Sequence, residues 1–286
     1  MPLAKLEQQL TEALDSGVCS LHSLTGGCVG EVYRAELDGG ETVVVKVDRG
    51  KHPKLDIEAS MLRYLATHSE IPVPEVIYGA PQLLVMQYIE HDGQPGPDVE
   101  IEAADALAAL HNVTAKSYGF DDDTLIGGLE LPNPRSENWP EFFADHRLRD
   151  MANRAVEAEM LDIATCRRVH GLADNLEQFI PSPATPSLIH GDIWGGNVLI
   201  NQGHLAAFID PAIYFADPEI ELAFIDLFNT FGERFYARYS EHRPIDDAFF
   251  TRRKDLYNIF PLLVHVRLFG GSYVHSVQAT LRKFGY

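Results

Sequence analysis

The sequence is defined first by what it lacks. It has 3 cysteines, Cys19, Cys28 and Cys166. Their spacing matches no zinc motif and no even set of disulfides, which excludes a disulfide-stapled scaffold and fits a reducing compartment. No apolar run approaches the roughly 18 residues needed to cross a bilayer. The stretch Met1–Leu14 mixes acidic with apolar residues and has no signal-peptide core. A cytoplasmic protein with no membrane partner is therefore expected. Basic charge is scarce: 23 Lys and Arg against 42 Asp and Glu leave a net charge of −19. Such a surface repels nucleic acid and anionic membranes and attracts cationic ligands, or it serves solubility alone. No Gly-x-x-x-x-Gly-Lys-Ser/Thr occurs, which excludes a Walker-type nucleotide site. Internal repeats and low-complexity tracts are absent as well.

What is present is concentrated between Leu188 and Ala212. The chain reads Leu-Ile-His-Gly-Asp-Ile-Trp-Gly-Gly-Asn-Val-Leu-Ile, a short turn, then Ala-Phe-Ile-Asp-Pro-Ala. Asp192 followed five positions later by Asn197 has the spacing of a phosphoryl-transfer loop, in which the Asp takes a hydroxyl proton and the Asn binds magnesium. The apolar runs 198–200 and 205–209 predict two short strands turning at Asn201-Gln202-Gly203-His204. That hairpin would return Asp210, a second metal-ligand candidate, to the neighbourhood of Asn197. An ordinary Gly-rich turn explains neither the Asn nor the two Asp at these separations.

Phosphoryl transfer also needs a cover for the phosphates, a cation on them and a support for that cation. Gly26, Gly27, Cys28 and Gly30 lie between strand-like stretches, where backbone N–H groups could approach phosphate oxygens; a plain hairpin turn is the other reading. A Cys28 thiol among such N–H groups would have a lowered pKa and be open to oxidation, or would simply fill the turn. Lys46 sits in the strand-like run Thr42–Val47, and a lysine buried there requires a partner. Glu58, on a helix expected from about Asp56 to Thr67, is the natural one. The run 83–89 reads as a buried strand whose end, Gln87-Tyr88-Ile89, falls where backbone groups could hold an adenine. Residues 91–97 look like a connection, which places an N-lobe over 1–89 and a mainly helical C-lobe over 90–286. Helices are expected over 3–15, 99–111, within 139–180, over 219–235 and from Asp246 to about Leu268.

With these residues in place, the chain resembles the fructosamine/ketosamine-3-kinase family, a branch of the aminoglycoside-phosphotransferase-like kinases. The matching stretches run nearly end to end: 26–33, 44–47, Glu58, 118–121, 138–148, 190–197, 209–214, 219–223 and 265–273. Trp194 in the loop and Asp210-Pro211-Ala212 distinguish this branch. One departure is Ile193, where the family usually has Leu. The resemblance implies a two-lobed, protein-kinase-like α+β fold and ATP-dependent phosphorylation of a ketosamine O3, a deglycation repair reaction on a small-molecule or protein-bound adduct. It implies that Asp192 is the base, that Asn197 and Asp210 bind Mg²⁺, that Lys46 contacts ATP phosphates and that Glu58 orients Lys46. Trp194 belongs either against the acceptor sugar or in the core as an anchor of the loop. Asn138, Trp139 and Arg147 fit helix packing better than the acceptor side. Asp217, Glu219 and Glu221 either attract a substrate amine or cap and solvate a helix start, the latter for at least two of them. The aminoglycoside-kinase and non-catalytic nucleotide-binding readings share the same polar residues. A monomer and a homodimer both remain open.

Overall fold

The computed structural model describes residues 3–24, 30–180 and 185–286. The chain forms two compact units, one comprising residues 1–99 with 196–211 and the other residues 100–195 with 212–286. This division differs from an N-lobe ending at residue 89. The first unit runs on through Val99 and takes in the later hairpin.

In the first unit, β1 (Val18–Leu24), β2 (Glu31–Leu37), β3 (Thr42–Val47), β4 (Val76–Ala80) and β5 (Leu83–Gln87) form one antiparallel sheet in the order β1-β2-β3-β5-β4. Residues 37–41 close the β2–β3 turn, with Gly40 at a φ of 83°. The two-residue period of β3 sorts its side chains. Val43, Val45 and Val47 join Leu6 and Leu10 of α1 (Leu3–Leu14) with Tyr33, Ala35 and Val85. Val44 points the other way, to the cluster that Leu84 and Met86 make with Leu55, Ala59 and Leu62 of α2 (Leu55–His68). Lys46 has the parity of Val44, so the strand aims it at the helix bearing Glu58. β4 was not expected; its Gly79 and its flanking prolines mask the strand pattern.

The hairpin Val198–Asn201/His204–Phe208 belongs to the same unit and pairs Asn201 with His204. Gln202 and Gly203 both have positive φ, 50° and 81°, as the tight hairpin turn requires. The linker lies on this turn: Asp92 N and Gly93 N donate to Ile200 O at 3.0 and 3.1 Å. A Cβ at Gly96 would stand 2.2 Å from Gly203 O, so only glycine admits this approach.

The second unit is mainly helical. α3 (Val99–His111) ends in it, a helical run continues from Trp139 to Glu157, and further helices span Ile163–Ala173, Glu219–Leu227, Glu233–His242, Ile259–Phe269 and Ser272–Lys283. The single helix expected over 219–235 is two. Asn229 has a φ of 48°, and the Thr230 hydroxyl donates to Ile193 O at 3.2 Å, so the chain leaves the helical path where its side chains look helical. Strands Ser187–Ile189 and Tyr214–Ala216 pair antiparallel, Tyr214 opposite Ile189, and deliver His190-Gly191-Asp192 at the strand end. Gly191 there has a φ of 87°, and a Cβ on it would meet Ala212 O at 2.2 Å. Only glycine fits this turn.

Candidate active site

The first unit holds the cation and both metal-ligand candidates. Lys46 Nζ lies 2.6 Å from Glu58 Oε1 and also donates to Asp210 Oδ1. All three side chains are largely withdrawn from water. Burial by itself would pull the Lys46 ammonium down, but Glu58 and Asp210 outweigh it and hold it above the ordinary lysine range. Lys46 is therefore a fixed cation at every physiological pH. Asp210 adopts a φ of 56°, uncommon for a residue with a side chain and typical of functional turns. Ile209 N donates to Asn197 O at 3.0 Å, which stitches the two metal-ligand candidates together through the backbone. One carboxylate and one amide oxygen fit Mg²⁺, which takes few protein oxygens and fills the remainder of its octahedron from phosphate and water. Among the described residues no group of three or more His, Cys, Asp or Glu gathers as a metal cage.

The other nucleotide-side candidates divide. Gly26, Gly27 and Cys28 lie outside the described residues. Gly30 has a φ of 78°, and a Cβ on it would press to 2.5 Å from Val47 O, so it brings β2 and β3 into close approach. Gln87 N–H is committed to Glu75 O at 2.8 Å and cannot serve an adenine. Tyr88 lies under the Arg34 guanidinium at 4.8 Å, and the Ile89 carbonyl contacts His91 Nδ1 at 2.8 Å.

The second unit holds Asp192, half-buried, whose amide lies 3.4 Å from His190 Nδ1. The loop is anchored by Ile193, fully buried and tied by Thr230, whereas Trp194 is 40% exposed. Trp194 is thus not the core anchor of the loop. Trp139 and Arg147 are both in the core. Trp139 stacks with Phe142 and Phe143 and donates Nε1–H to Tyr257 at 3.0 Å. Arg147 lies over Tyr214 at 4.0 Å and donates to Pro132 O and Asn133 Oδ1. Asn138 caps its helix by accepting from Glu141 N at 3.3 Å.

The three acidic residues after the metal strand are each committed within the protein. Asp217 caps the helix Glu219–Leu227, accepting from Glu219 N at 3.0 Å and from the Tyr257 hydroxyl at 2.7 Å. Glu219 grips Arg253 through two bonds of 2.6 and 2.5 Å. Glu221 neither caps nor solvates: it is buried and accepts from His190 N, Gly191 N and His111. Sequence reasoning placed Glu221 among the acids after the metal strand but did not find its pairing with His111. The signal for the pairing was weak, because each lies in a helix with other acids, Glu100, Glu102 and Asp105 in one and Glu219 and Asp226 in the other.

Burial, reinforced by the Glu219 charge, pushes the Asp217 carboxyl up to about 6. The folded protein thus holds this proton more tightly than the unfolded chain, whose Asp titrates near 3.9. Between these values the native state binds more protons, so this group's contribution to stability falls as pH rises from about 4 to about 6. Asp217→Asn removes the titration. The stability of the Asn variant relative to wild type should rise across that window by on the order of 3 kcal/mol, read by denaturant unfolding at a series of pH values. A pH-independent difference would contradict this assignment.

The fructosamine kinase family model matches residues 2–284. The chain belongs to that family. It is an enzyme of the phosphotransferase class. A probable ketoamine kinase from Synechocystis is 31% identical over 275 residues, covering 91% of this chain and 88% of that protein. The chloroplastic protein-ribulosamine 3-kinase of Arabidopsis thaliana is 29% identical, covering 95% and 84%. A solved structure assigned as a fructosamine-3-kinase, from Thermobifida fusca, superposes with a TM-score of 0.86 at 31% identity, covering 97% of each chain. The gentamicin complex of an aminoglycoside phosphotransferase superposes with a TM-score of 0.68 at 15% identity, which shows a shared fold alone. The fold is thus the two-part α+β architecture of these kinases, with a sheet-rich first part and a helical second part.

Proposed function

We propose that the protein transfers the γ-phosphoryl group of ATP to a sugar hydroxyl, O3, of a ketosamine, as a step of deglycation repair. The observation that carries this reading is Lys46 held at once by Glu58 and by Asp210, with Asp210 tied through Ile209 to Asn197. A lysine so fixed presents a cation to ATP phosphates, and Asn197 and Asp210 would hold Mg²⁺. When bound, that ion neutralises charge on the phosphates. Asp192 accepts the hydroxyl proton as the new O–P bond forms and the bond from the γ-phosphorus to the ADP oxygen breaks, giving phosphoketosamine and ADP. Gly30, with Gly26, Gly27 and Cys28, covers the phosphates. Tyr88 and Ile89 hold the adenine.

Trp194 packs on the acceptor sugar, a role supported by its exposure beside the base. A second aromatic group lies in the helical unit. Phe228, His265, Phe269 and Tyr273 cluster with centroids 4.8–6.3 Å apart in the helical unit, and Phe228 lies two positions before Thr230, which holds Ile193. Aromatic rings suit the apolar face of a sugar and a protonated secondary amine. The net negative charge favours such an amine. No helix of the described residues is long and apolar enough to cross a membrane, in keeping with a cytoplasmic site of action.

The test is ATP consumption with ribulose-lysine, fructose-lysine and kanamycin as acceptors. Turnover of one or both ketosamines, with product phosphorylated at O3, is expected. Turnover of kanamycin alone would replace this reading with an aminoglycoside kinase, and nucleotide binding without turnover of any amine sugar would replace it with a binding role.

A further inference from the structure

The segment that leaves β5 has no apolar anchor of its own. Residues 90–95, Glu-His-Asp-Gly-Gln-Pro, are all exposed. Its course therefore rests on hydrogen bonds and close backbone contact. These lead to the turn of the hairpin Val198–Asn201/His204–Phe208. Asp92 N and Gly93 N share Ile200 O at 3.0 and 3.1 Å. The Asp92 carboxylate adds a bond on each side: Oδ2 accepts from Gln202 N at 3.2 Å, and Oδ1 accepts from Gln94 N at 3.0 Å. Gln202 opens a two-residue turn, where its amide has no partner in the ladder, and Asp92 supplies one. Further on, Gly96 lies against Gly203. A Cβ on Gly96 would stand 2.2 Å from Gly203 O and 2.7 Å from Gly203 Cα. A carboxylate and a glycine–glycine contact thus fasten the segment at two points.

The two fastened pieces carry opposite ends of the proposed nucleotide site, and both belong to one compact unit. Ile89, just before the segment, is on the base side, and its carbonyl accepts from His91 Nδ1 at 2.8 Å. Asn197 and Asp210 flank the hairpin on the metal side. Asp92 and Gln202 join these ends across 110 positions of chain. A ligand held at both ends gains its second contact at high effective concentration only where the two sites keep the spacing that the ligand spans.

We infer that Asp92 is a positioning residue: together with the Gly96–Gly203 contact, it fastens the segment beside the base site to the metal hairpin and so fixes the spacing between base and phosphate contacts. The inference rests on the proposed binding of ATP and Mg²⁺. Asp92→Ala removes both side-chain acceptors and touches no group proposed to contact the nucleotide. Adenosine, which reaches the base side alone, should bind within twofold of wild type. ATP with Mg²⁺ should bind roughly tenfold more weakly, a partial loss of the advantage of two joined contacts. Asp92→Asn can accept through one oxygen only and should fall between. Gly96→Ala acts on the other fastening, by pushing the segment off Gly203 O, and should shift the same ratio. Equal loss of adenosine and Mg-ATP binding, or no loss of Mg-ATP binding in either alanine variant, overturns the inference.

Amide hydrogen exchange of the nucleotide-free protein provides the independent arm. Loss of the Asp92 carboxylate frees Gln94 N and Gln202 N directly. The amides of residues 92 and 93 bond Ile200 O through backbone alone. Faster exchange at these two in Asp92→Ala, with thermal midpoint little changed, means that the segment lifts as a unit and supports the inference. Unchanged exchange there, or a collapse of the thermal midpoint in every variant, overturns it. A wild-type protein that binds no Mg-ATP would sink the functional reading alone, while exchange would still decide whether Asp92 fastens the segment.

Discussion

Asp192→Asn should lower kcat for a ketosamine by roughly 10²- to 10⁴-fold, the range spanned by removal of a general base, while the KM for ATP stays close to wild type. The asparagine keeps the size of the side chain and its capacity to accept a hydrogen bond, but it cannot take up the acceptor's proton. The change adds no charge and buries nothing new, because the Asp192 side chain lies in a half-buried loop whose anchor is the next residue, Ile193. Stability is therefore expected to remain within about 0.5 kcal/mol of wild type, as for substitutions away from buried networks. The check is steady-state kinetics at saturating ATP together with a melting curve. Retention of more than a tenth of wild-type kcat would remove Asp192 from the role of base. A large rise in ATP KM with little change in kcat would place it on the nucleotide instead.

Lys46→Met should act on both activity and stability. Removing a preorganised cation that stabilises developing charge typically costs about 10²- to 10³-fold in kcat. Unlike Asp192, Lys46 also neutralises two carboxylates, Glu58 at 2.6 Å and Asp210. Methionine fills the aliphatic volume but leaves both without their cation in a site nearly closed to water. Breaking such an ion pair from one side costs about 3 to 5 kcal/mol, because the remaining charge stays buried. Asp210 is the more exposed of the two and recovers part of this through solvent, so the loss should fall towards the lower end of that range. The double change Lys46→Met with Glu58→Gln should be more stable than Lys46→Met alone, since it removes the more buried of the two orphaned carboxylates. Denaturant unfolding of wild type and the two variants would show this. A Lys46→Met protein as stable as wild type would mean that the triad is not closed in solution.

The local chemistry was legible in the order of residues along the chain. A tight turn of His190-Gly191-Asp192, an Asn five positions later and a two-residue hairpin leading to Asp210 are short-range features, and Gln202-Gly203 supplies the positive φ angles that the hairpin demands. The alternation of β3 likewise placed Lys46 on the side of α2, and the family resemblance rested on such local stretches. Mid-range reading was weaker. The helix over 219–235 looked continuous because Phe224, Phe228, Phe231 and Phe235 repeat with helical spacing, yet the chain breaks at Asn229 to let Thr230 reach Ile193. β4 was hidden because an edge strand of five residues between prolines carries little pattern of its own.

What only the tertiary structure decided are the contacts that bridge long separations. The Lys46–Asp210 pair joins residues 164 apart, His111 and Glu221 are 110 apart, and Glu221 reaches Gly191 across 30. No spacing rule encodes such pairs, since they depend on how sheet, hairpin and helices pack. Trp194 and Trp139 make the same point: two tryptophans in recognisable stretches, one left 40% exposed and the other sealed among Phe142, Phe143 and Tyr257. Sequence reading favoured packing for Trp139 but left Trp194 open, because burial is a property of what folds over a residue. The sequence by itself determined the chemistry this protein can carry. Packing determined which of its acids, like Asp217 and Glu221, are committed to holding the fold.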